Sequence, residues 1–294
     1  METIGIVGVG IMGSAFAANL RAAGHPLVVY DISADALARV EALGGSIAAS
    51  PAEVGERARV VITSLPTEAA LQQAIGGERG LTSTRANPVV VEMSTMRLGV
   101  KEAARKALAE AGKIMLDCPV SGTGAQAAKK DLVVFGSGDR AAWDAVAGIF
   151  PGMARQQHYL GDFGNGSKMK YLANTLVNIH NVAAAETFAL AGRAGMDLAT
   201  VYEVLKDSAG SSRMFQIRGP LMLAQDYDNP TARIGMYMKD LDIIGEFAAS
   251  LRCPTPLFNA ATQLYYAALN NGRADQDTAA VCAVVEELAG IRRP

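Results

Sequence analysis

The stretch GIVGVGIMG, residues 5 to 13, decides the fold of the first half of the chain. Its apolar beginning predicts a buried β-strand, and its glycines form the pattern GxGxxG where a helix is expected to open. One glycine permits a tight turn, the next lets backbone approach a pyrophosphate, and the last allows close packing of helix on strand. The stretch therefore predicts a dinucleotide-binding loop with contacts from Gly8, Val9, Gly10, Ile11, Met12 and Gly13.

An aspartate follows the next predicted strand, LVVYD, 18 residues after Gly13. At this place a carboxylate can accept hydrogen bonds from the ribose of a bound adenosine. Its charge would repel a 2′-phosphate, and no arginine follows immediately, so Asp31 favours NAD over NADP as the cofactor. The alternative is an ordinary strand-to-helix turn with an exposed aspartate.

Short β-branched runs alternate with alanine-rich amphipathic segments up to about residue 160. The runs are apolar throughout, as in a parallel sheet covered by helices on both faces. After the glycine-rich GDFGNG only helical patterns remain, over residues 168–194, 198–208, 236–250, 256–270 and 278–288. We therefore predict an α/β Rossmann-type doubly wound sheet over residues 1–163, followed by an all-α C-terminal domain over 164–294.

The composition narrows the class of protein. The chain has 27 basic and 29 acidic residues without a long block of either sign, which predicts neither a nucleic-acid partner nor a membrane partner. Its three cysteines lack CxxC spacing, which argues against a disulfide framework or a structural zinc. We expect a cytoplasmic protein.

Three further sites follow predicted strands, at the edge where open α/β sheets bind ligands. Leu65 and Pro66 end one strand, and Thr95 ends another; these are candidate cofactor contacts or plain strand-to-helix turns. The segment DCPVSGTGAQ offers a serine hydroxyl beside glycine N–H groups, a concavity that suits a carboxylate. Taken alone, this segment with Ser121, Gly122 and Thr123 also fits an ordinary turn.

The segment GNGSKMKYLAN contains two lysines, which helical geometry places about 200° apart. Asparagines at +4, +8 and +11 from Lys170 predict one polar stripe on an otherwise apolar helix, which favours a face turned towards a polar site rather than core. Lys170 is expected in the first helical turn, where the dipole disfavours a cation. The residues alone leave it open whether Lys170 exchanges a proton or is simply solvated.

The ordered set of motifs resembles the β-hydroxyacid dehydrogenase family along essentially the full chain. The set comprises GVGIMG, LP, MST, D-x-PVSG, GxGxxxKxxxN and KDL. The resemblance implies NAD(P)-dependent oxidation of a small 3-hydroxy carboxylic acid. It also implies that Lys170 is the acid/base group, that Asn174 holds substrate and lysine, that Ser121 and Gly122 bind the substrate carboxylate, and that Thr95 and Lys239 contact the cofactor.

The chain departs from the family at the substrate end, where Thr123 replaces the usual third glycine and Ala173 replaces a common second asparagine. These departures leave the particular acid open. Two alternatives are an imine reductase-like enzyme, which the lysine disfavours, and a catalytically silent dinucleotide-binding sensor. The apolar sides of the helix after Lys168 predict a homodimer or homotetramer.

Overall fold

A computed structural model describes residues 1–293; Pro294, the last residue of the predicted second domain, lies outside them. The chain forms two compact units, one over residues 1–170 and the other from Tyr171 onward. The predicted boundary at 163/164 falls just before this division, and it stays a prediction.

The first unit is built on a six-stranded parallel sheet, whose strands are β1 (Ile4–Val7), β2 (Leu27–Tyr30), β3 (Ser46–Ile47), β4 (Val60–Thr63), β5 (Val89–Glu92) and β6 (Ile114–Asp117). Their order across the sheet is β3-β2-β1-β4-β5-β6. Strand order reverses beside β1, and this switch point is where open α/β sheets bind ligands. Strands β1 and β4 are buried throughout, and β5 is buried except at Val89, as their apolar runs predict.

Helices connect these strands and cover the sheet, so the doubly wound architecture is confirmed. They are α1 (Ile11–Ala22), α2 (Ala34–Glu41), α3 (Pro51–Arg57), α4 (Glu68–Gly76) and α5 (Leu98–Glu110). Side-chain caps begin several of them: Ser33, Ser50 and Thr67 each accept a backbone N–H of the following turn.

Two of the runs that alternate with helical segments up to about residue 160, DLVVFGSG and QQHYLG, form strands of a separate three-stranded sheet instead of the large one. This sheet pairs β7 (Val120–Ser121) antiparallel with β8 (Val133–Gly136), and β8 parallel with β9 (Gln156–Tyr159). Pro119 lies between β6 and β7, and the short strand β7 then pairs with β8 outside the large sheet. Two helices complete this part, α6 (Gly124–Ala128) and α7 (Arg140–Val146).

The long helix α8 (Asn165–Arg193) begins in the first unit and continues into the second. The second unit adds α9 (Leu198–Leu205), α10 (Arg213–Ala224), α11 (Ile234–Ser250), α12 (Pro256–Asn270) and α13 (Val281–Leu288) around one apolar core. Its described residues contain no strand, which confirms the all-α prediction. Within residues 1–293, no helix combines the length and apolar character needed to cross a membrane.

The sequence missed α10 because Gly219 and Pro220 lie in its middle, and both residues usually interrupt helices. Proline lacks the N–H that would bond to the carbonyl of Gln216, four residues earlier. The hydroxyl of Tyr202 donates to that carbonyl instead, at 3.1 Å. A Cβ on Gly219 would collide with the ring of Tyr202, so glycine at this position is what lets α10 pack on α9.

Candidate active site

The loop between β1 and α1 has the geometry that a pyrophosphate site needs. Gly8 has φ +93°, and a Cβ on Gly13 would meet the carbonyl oxygen of Gly8, so both positions require glycine. A Cβ on Gly10 would meet nothing within 4 Å, so that face of the loop is open. No side chain caps α1, which leaves the first N–H groups of the helix available to an anion. These features fit a bound dinucleotide.

Asp31 lies directly after β2 and joins two loops. One carboxylate oxygen accepts the backbone N–H of Val9 at 2.7 Å, and the other accepts the N–H of Ser33 at 2.8 Å. The aspartate is therefore held beside the glycine loop, as the sequence predicts. Each oxygen keeps a further lone pair that could accept a ribose hydroxyl.

The ends of β4 and β5 lie on the same edge of the sheet, next to the glycine loop. A Cβ on Gly8 would contact Ser64 and Leu65, which shows how closely the two loops approach. The N–H of Leu65 donates to the Ser94 hydroxyl at 2.9 Å. Pro66 is exposed and Thr95 half-buried at this edge. The placement of Leu65, Pro66 and Thr95 is compatible with cofactor contacts.

In the predicted substrate loop the Ser121 hydroxyl is free, whereas Thr123 is hydrogen-bonded as a helix cap. Ser121 ends β7 half-buried, and its hydroxyl makes no hydrogen bond to any other described residue. Gly122 has φ +136°, which only glycine adopts readily. Thr123 caps α6, and its N–H donates to the side chain of Gln126 at 3.0 Å. The threonine is thus part of a capping box, so its N–H is not available to a carboxylate while the box is closed.

The two lysines of GNGSKMKYLAN differ as their helical phase predicts. Lys168 is exposed and donates to Asn165 at 3.2 Å, whereas Lys170 is only 8% exposed. The expected start of the helix was wrong, because α8 begins at Asn165 and Lys170 is its sixth residue. The dipole acts mainly on the first turn, so it has less influence on Lys170 than expected.

The asparagine stripe of α8 does not face a polar site along its whole length. Asn178 and Asn181 are fully buried in the second unit. Asn178 donates to the carbonyl of Phe258 and to Thr262, and Asn181 donates to the hydroxyl of Tyr265. These partners on α12 satisfy the amide nitrogens of both residues inside the helical core, so the expectation of a polar site was wrong for Asn178 and Asn181.

Asn174 is the member of the stripe with a charged partner. Its amide donates to Asp240 at 2.9 Å, and the other oxygen of Asp240 lies 3.3 Å from the Lys239 ammonium. The pair of Lys239 and Asp240 on α11 is therefore connected to α8 through Asn174. Because the amide nitrogen of Asn174 donates to Asp240, the carbonyl oxygen of the same side chain points the other way and can accept a hydrogen bond.

The sequence also missed a buried ion triad at the carboxyl ends of β5 and β6. Lys101 lies 2.6 Å from Glu92 and 2.8 Å from Asp117, and all three side chains are fully buried. Burial alone would lower the pKa of Lys101, but the charges of Asp117 and Glu92 outweigh it and raise this pKa above its ordinary value. The sequence did contain one indication that Lys101 is buried: it lies on the same face of α5 as Ala104 and Leu108, which are buried.

Two protein-family models match the chain in succession. Residues 3–161 match the NAD-binding domain of 6-phosphogluconate dehydrogenase, and residues 164–285 match the NAD-binding domain of NADP-dependent 3-hydroxyisobutyrate dehydrogenase. An L-threonate dehydrogenase from Cupriavidus necator is 34% identical over 100% of this chain and 98% of its own length.

Solved structures show the same relationship. A 3-hydroxyisobutyrate dehydrogenase from Salmonella typhimurium has a TM-score of 0.87 and 30% identity, over 97% of this chain and 100% of that one. The 3-hydroxyisobutyrate dehydrogenase of Mycobacterium tuberculosis with L-serine has a TM-score of 0.86 and 26% identity, over 98% and 99%.

The fold and the glycine loop define a nicotinamide-dinucleotide oxidoreductase. The matches are specific beyond this class, and the chain belongs to the β-hydroxyacid dehydrogenase family of NAD(P)-dependent hydroxyacid dehydrogenases.

Proposed function

We propose that the protein oxidises a small 3-hydroxy carboxylic acid with NAD, using Lys170 as general base, and reduces the product with Lys170 as general acid. The buried position of Lys170, one helical turn before Asn174, is the observation that supports this role. A bound NAD supplies the hydride acceptor. Ser121 and backbone near Gly122 would bind the substrate carboxylate, and Lys170 would take the hydroxyl proton as the carbon loses hydride.

The named relatives support a short, polar acid as substrate. L-threonate and 3-hydroxyisobutyrate appear in the names of the relatives, and L-serine is present with the Mycobacterium tuberculosis enzyme. All three compounds carry a hydroxyl group on the carbon next but one to the carboxyl carbon. Thr123 reduces the number of free N–H donors in the loop, which favours an acid held mainly by Ser121.

The experiment is to measure NADH formation on a panel of L-threonate, 3-hydroxyisobutyrate, glycerate, L-serine and longer 3-hydroxy acids. We expect one of the short acids to have the highest kcat/KM. Turnover of the longer acids alone would contradict the proposed substrate class. NAD binding without turnover of any acid would instead favour the silent-sensor alternative.

We propose that Asp31 selects NAD over NADP, because its carboxylate lies beside the glycine loop with a charge that repels a 2′-phosphate. Asp31→Asn should weaken NAD binding by about tenfold or more, the value of a charge-assisted hydrogen bond. The ratio of NADP to NAD affinity should rise. The control is Asp35→Asn, an exposed aspartate in the first turn of α2 that should leave the ratio unchanged. Equal ratios in both variants would contradict the role of Asp31. Cofactor fluorescence titration measures both affinities.

We further propose that the protein is a homodimer or homotetramer in the cytoplasm. Leu172, Leu176 and Leu190 are 57%, 54% and 73% exposed along α8, an apolar stripe that a second copy would cover. A monomer in sedimentation at micromolar concentration would contradict this. The cysteines at 118, 253 and 282 are free, as a reducing compartment requires.

A further inference from the structure

The buried ion triad occupies a position between two sets of loops. Glu92 and Asp117 are the last residues of β5 and β6 and are direct neighbours in the parallel register. Like charges at adjacent positions repel, and Lys101 compensates both from α5. Each carboxylate also accepts hydrogen bonds from backbone outside the sheet, and these bonds lead in different directions.

On one side the triad connects to the loops where cofactor contacts are expected. The second oxygen of Glu92 accepts the N–H of Ser94 at 2.9 Å. The hydroxyl of Ser94 in turn accepts the N–H of Leu65 at 2.9 Å. The loops after β4 and β5, which carry Leu65, Pro66 and Thr95, are thus fixed to Glu92.

On the other side the triad connects to the start of α8. Asp117 accepts the N–H of Ser167 at 2.7 Å and its hydroxyl at 2.8 Å. The hydroxyl of Ser137 lies 3.3 Å from Asp117 and accepts the N–H of Gly166 at 2.9 Å. A Cβ on Gly166 would collide with the carbonyl oxygens of Asp117 and Phe135, so only glycine lets the helix start so close to the strands. Ser167 precedes Lys170 by three residues, about one helical turn.

We propose that Asp117, Lys101 and Glu92 are positioning residues that hold Lys170 in a fixed place relative to the cofactor loops, and that cofactor binding further orders the first turn of α8 through them. This inference rests on the proposed role of Lys170. The three charged groups are fully buried, so water cannot replace their partners, and a misplacement of about 1 Å can cost about 10²-fold in rate. A purely stabilising role does not require bonds to both the cofactor loops and the helix.

The test uses serine variants that each remove one hydroxyl. Ser94→Ala acts on the cofactor side of the network and Ser167→Ala on the helix side. Ser50→Ala is the matched control, because Ser50 is also buried and accepts one backbone N–H, but it caps α3 and lies outside the network. Hydrogen exchange of the segment 164–170 is followed by mass spectrometry with and without saturating NAD.

We expect NAD to slow exchange of this segment in the parent and in Ser50→Ala, and to slow it much less in Ser94→Ala and Ser167→Ala. The same slowing in all four proteins would overturn the proposal.

The kcat values of the parent, the two single network variants and the double variant form a double-mutant cycle, measured with the acid that the parent oxidises fastest. We expect each network variant to lose kcat and the double variant to deviate from additivity by about threefold or more, as groups in one hydrogen-bond network do. Additive losses would also count against the proposal.

The exchange measurement is independent of turnover, so its failure is distinguishable from failure of the proposed function. If Lys170→Ala abolishes activity while the exchange pattern is the same in all four proteins, the lysine role stands and the network proposal is overturned. If Lys170→Ala stays active, the proposed function fails, and the exchange pattern alone decides whether the network joins cofactor and helix.

Discussion

Lys170→Ala is expected to lower kcat by about 10²- to 10⁴-fold, the usual contribution of a general acid/base group. The fold and the NAD affinity should be retained, because Lys170 lies outside the glycine loop and its helix is fixed at Ser167. Steady-state kinetics and cofactor titration of the purified variant measure the two effects separately.

Two further variants show whether proton exchange is the reason for this loss. Lys170→Arg keeps the positive charge but cannot deprotonate near neutral pH, so it should be nearly as inactive as the alanine variant. Lys168→Ala, two residues away on the exposed side of α8, should be almost silent. Substantial activity in Lys170→Arg would show that charge suffices and that Lys170 is not the base.

Lys101→Met is expected to destabilise the first unit by about 3–5 kcal/mol or more, because it leaves two carboxylates buried without their cation. The matched control is Lys106→Met on the same helix, whose pair with Glu110 is 79% and 68% exposed and should change stability by about 0.5 kcal/mol or less. Urea unfolding at pH 7 compares the two variants with the parent.

The pH dependence of this effect has a definite sign. The pKa of Lys101 is raised in the folded protein above the ordinary lysine value of 10.5. Its contribution to stability is therefore complete below that value and is lost as the pH rises through the folded pKa.

Adding Glu92→Gln to Lys101→Met should recover part of the loss by removing one uncompensated charge. Equal stability of Lys101→Met and Lys106→Met would contradict the account of the triad.

Local pattern predicted much of the fold but not its exceptions. The apolar strands, the glycine loop and most helices follow from spacing and composition, which depend on neighbours within a few residues. Helix α10 contradicts local propensity, and the Tyr202 hydroxyl on another helix donates to the carbonyl that Pro220 leaves without its helical N–H. The second sheet was also missed, because the partner of β7 lies more than ten residues further along the chain.

The candidate site shows a similar division. Asp31 beside the glycine loop and the separation of Lys168 from Lys170 follow from sequence spacing and helical phase. The burial of Asn178 and Asn181 depends on acceptors supplied by α12, about 80 residues away. No pattern within α8 distinguishes these amides from Asn174.

The sequence by itself determined the class of fold, the dinucleotide loop and the separation of Lys168 and Lys170 onto different sides of α8, because backbone periodicity is a local property. The tertiary structure decided what surrounds Lys170. It brought Glu92, Lys101 and Asp117 from separate elements into contact, and it tied them to Ser167 at the start of α8. It also showed Thr123 as a helix cap. These partners are distant in the chain, and only the packing of strands and helices brings them within hydrogen-bonding distance.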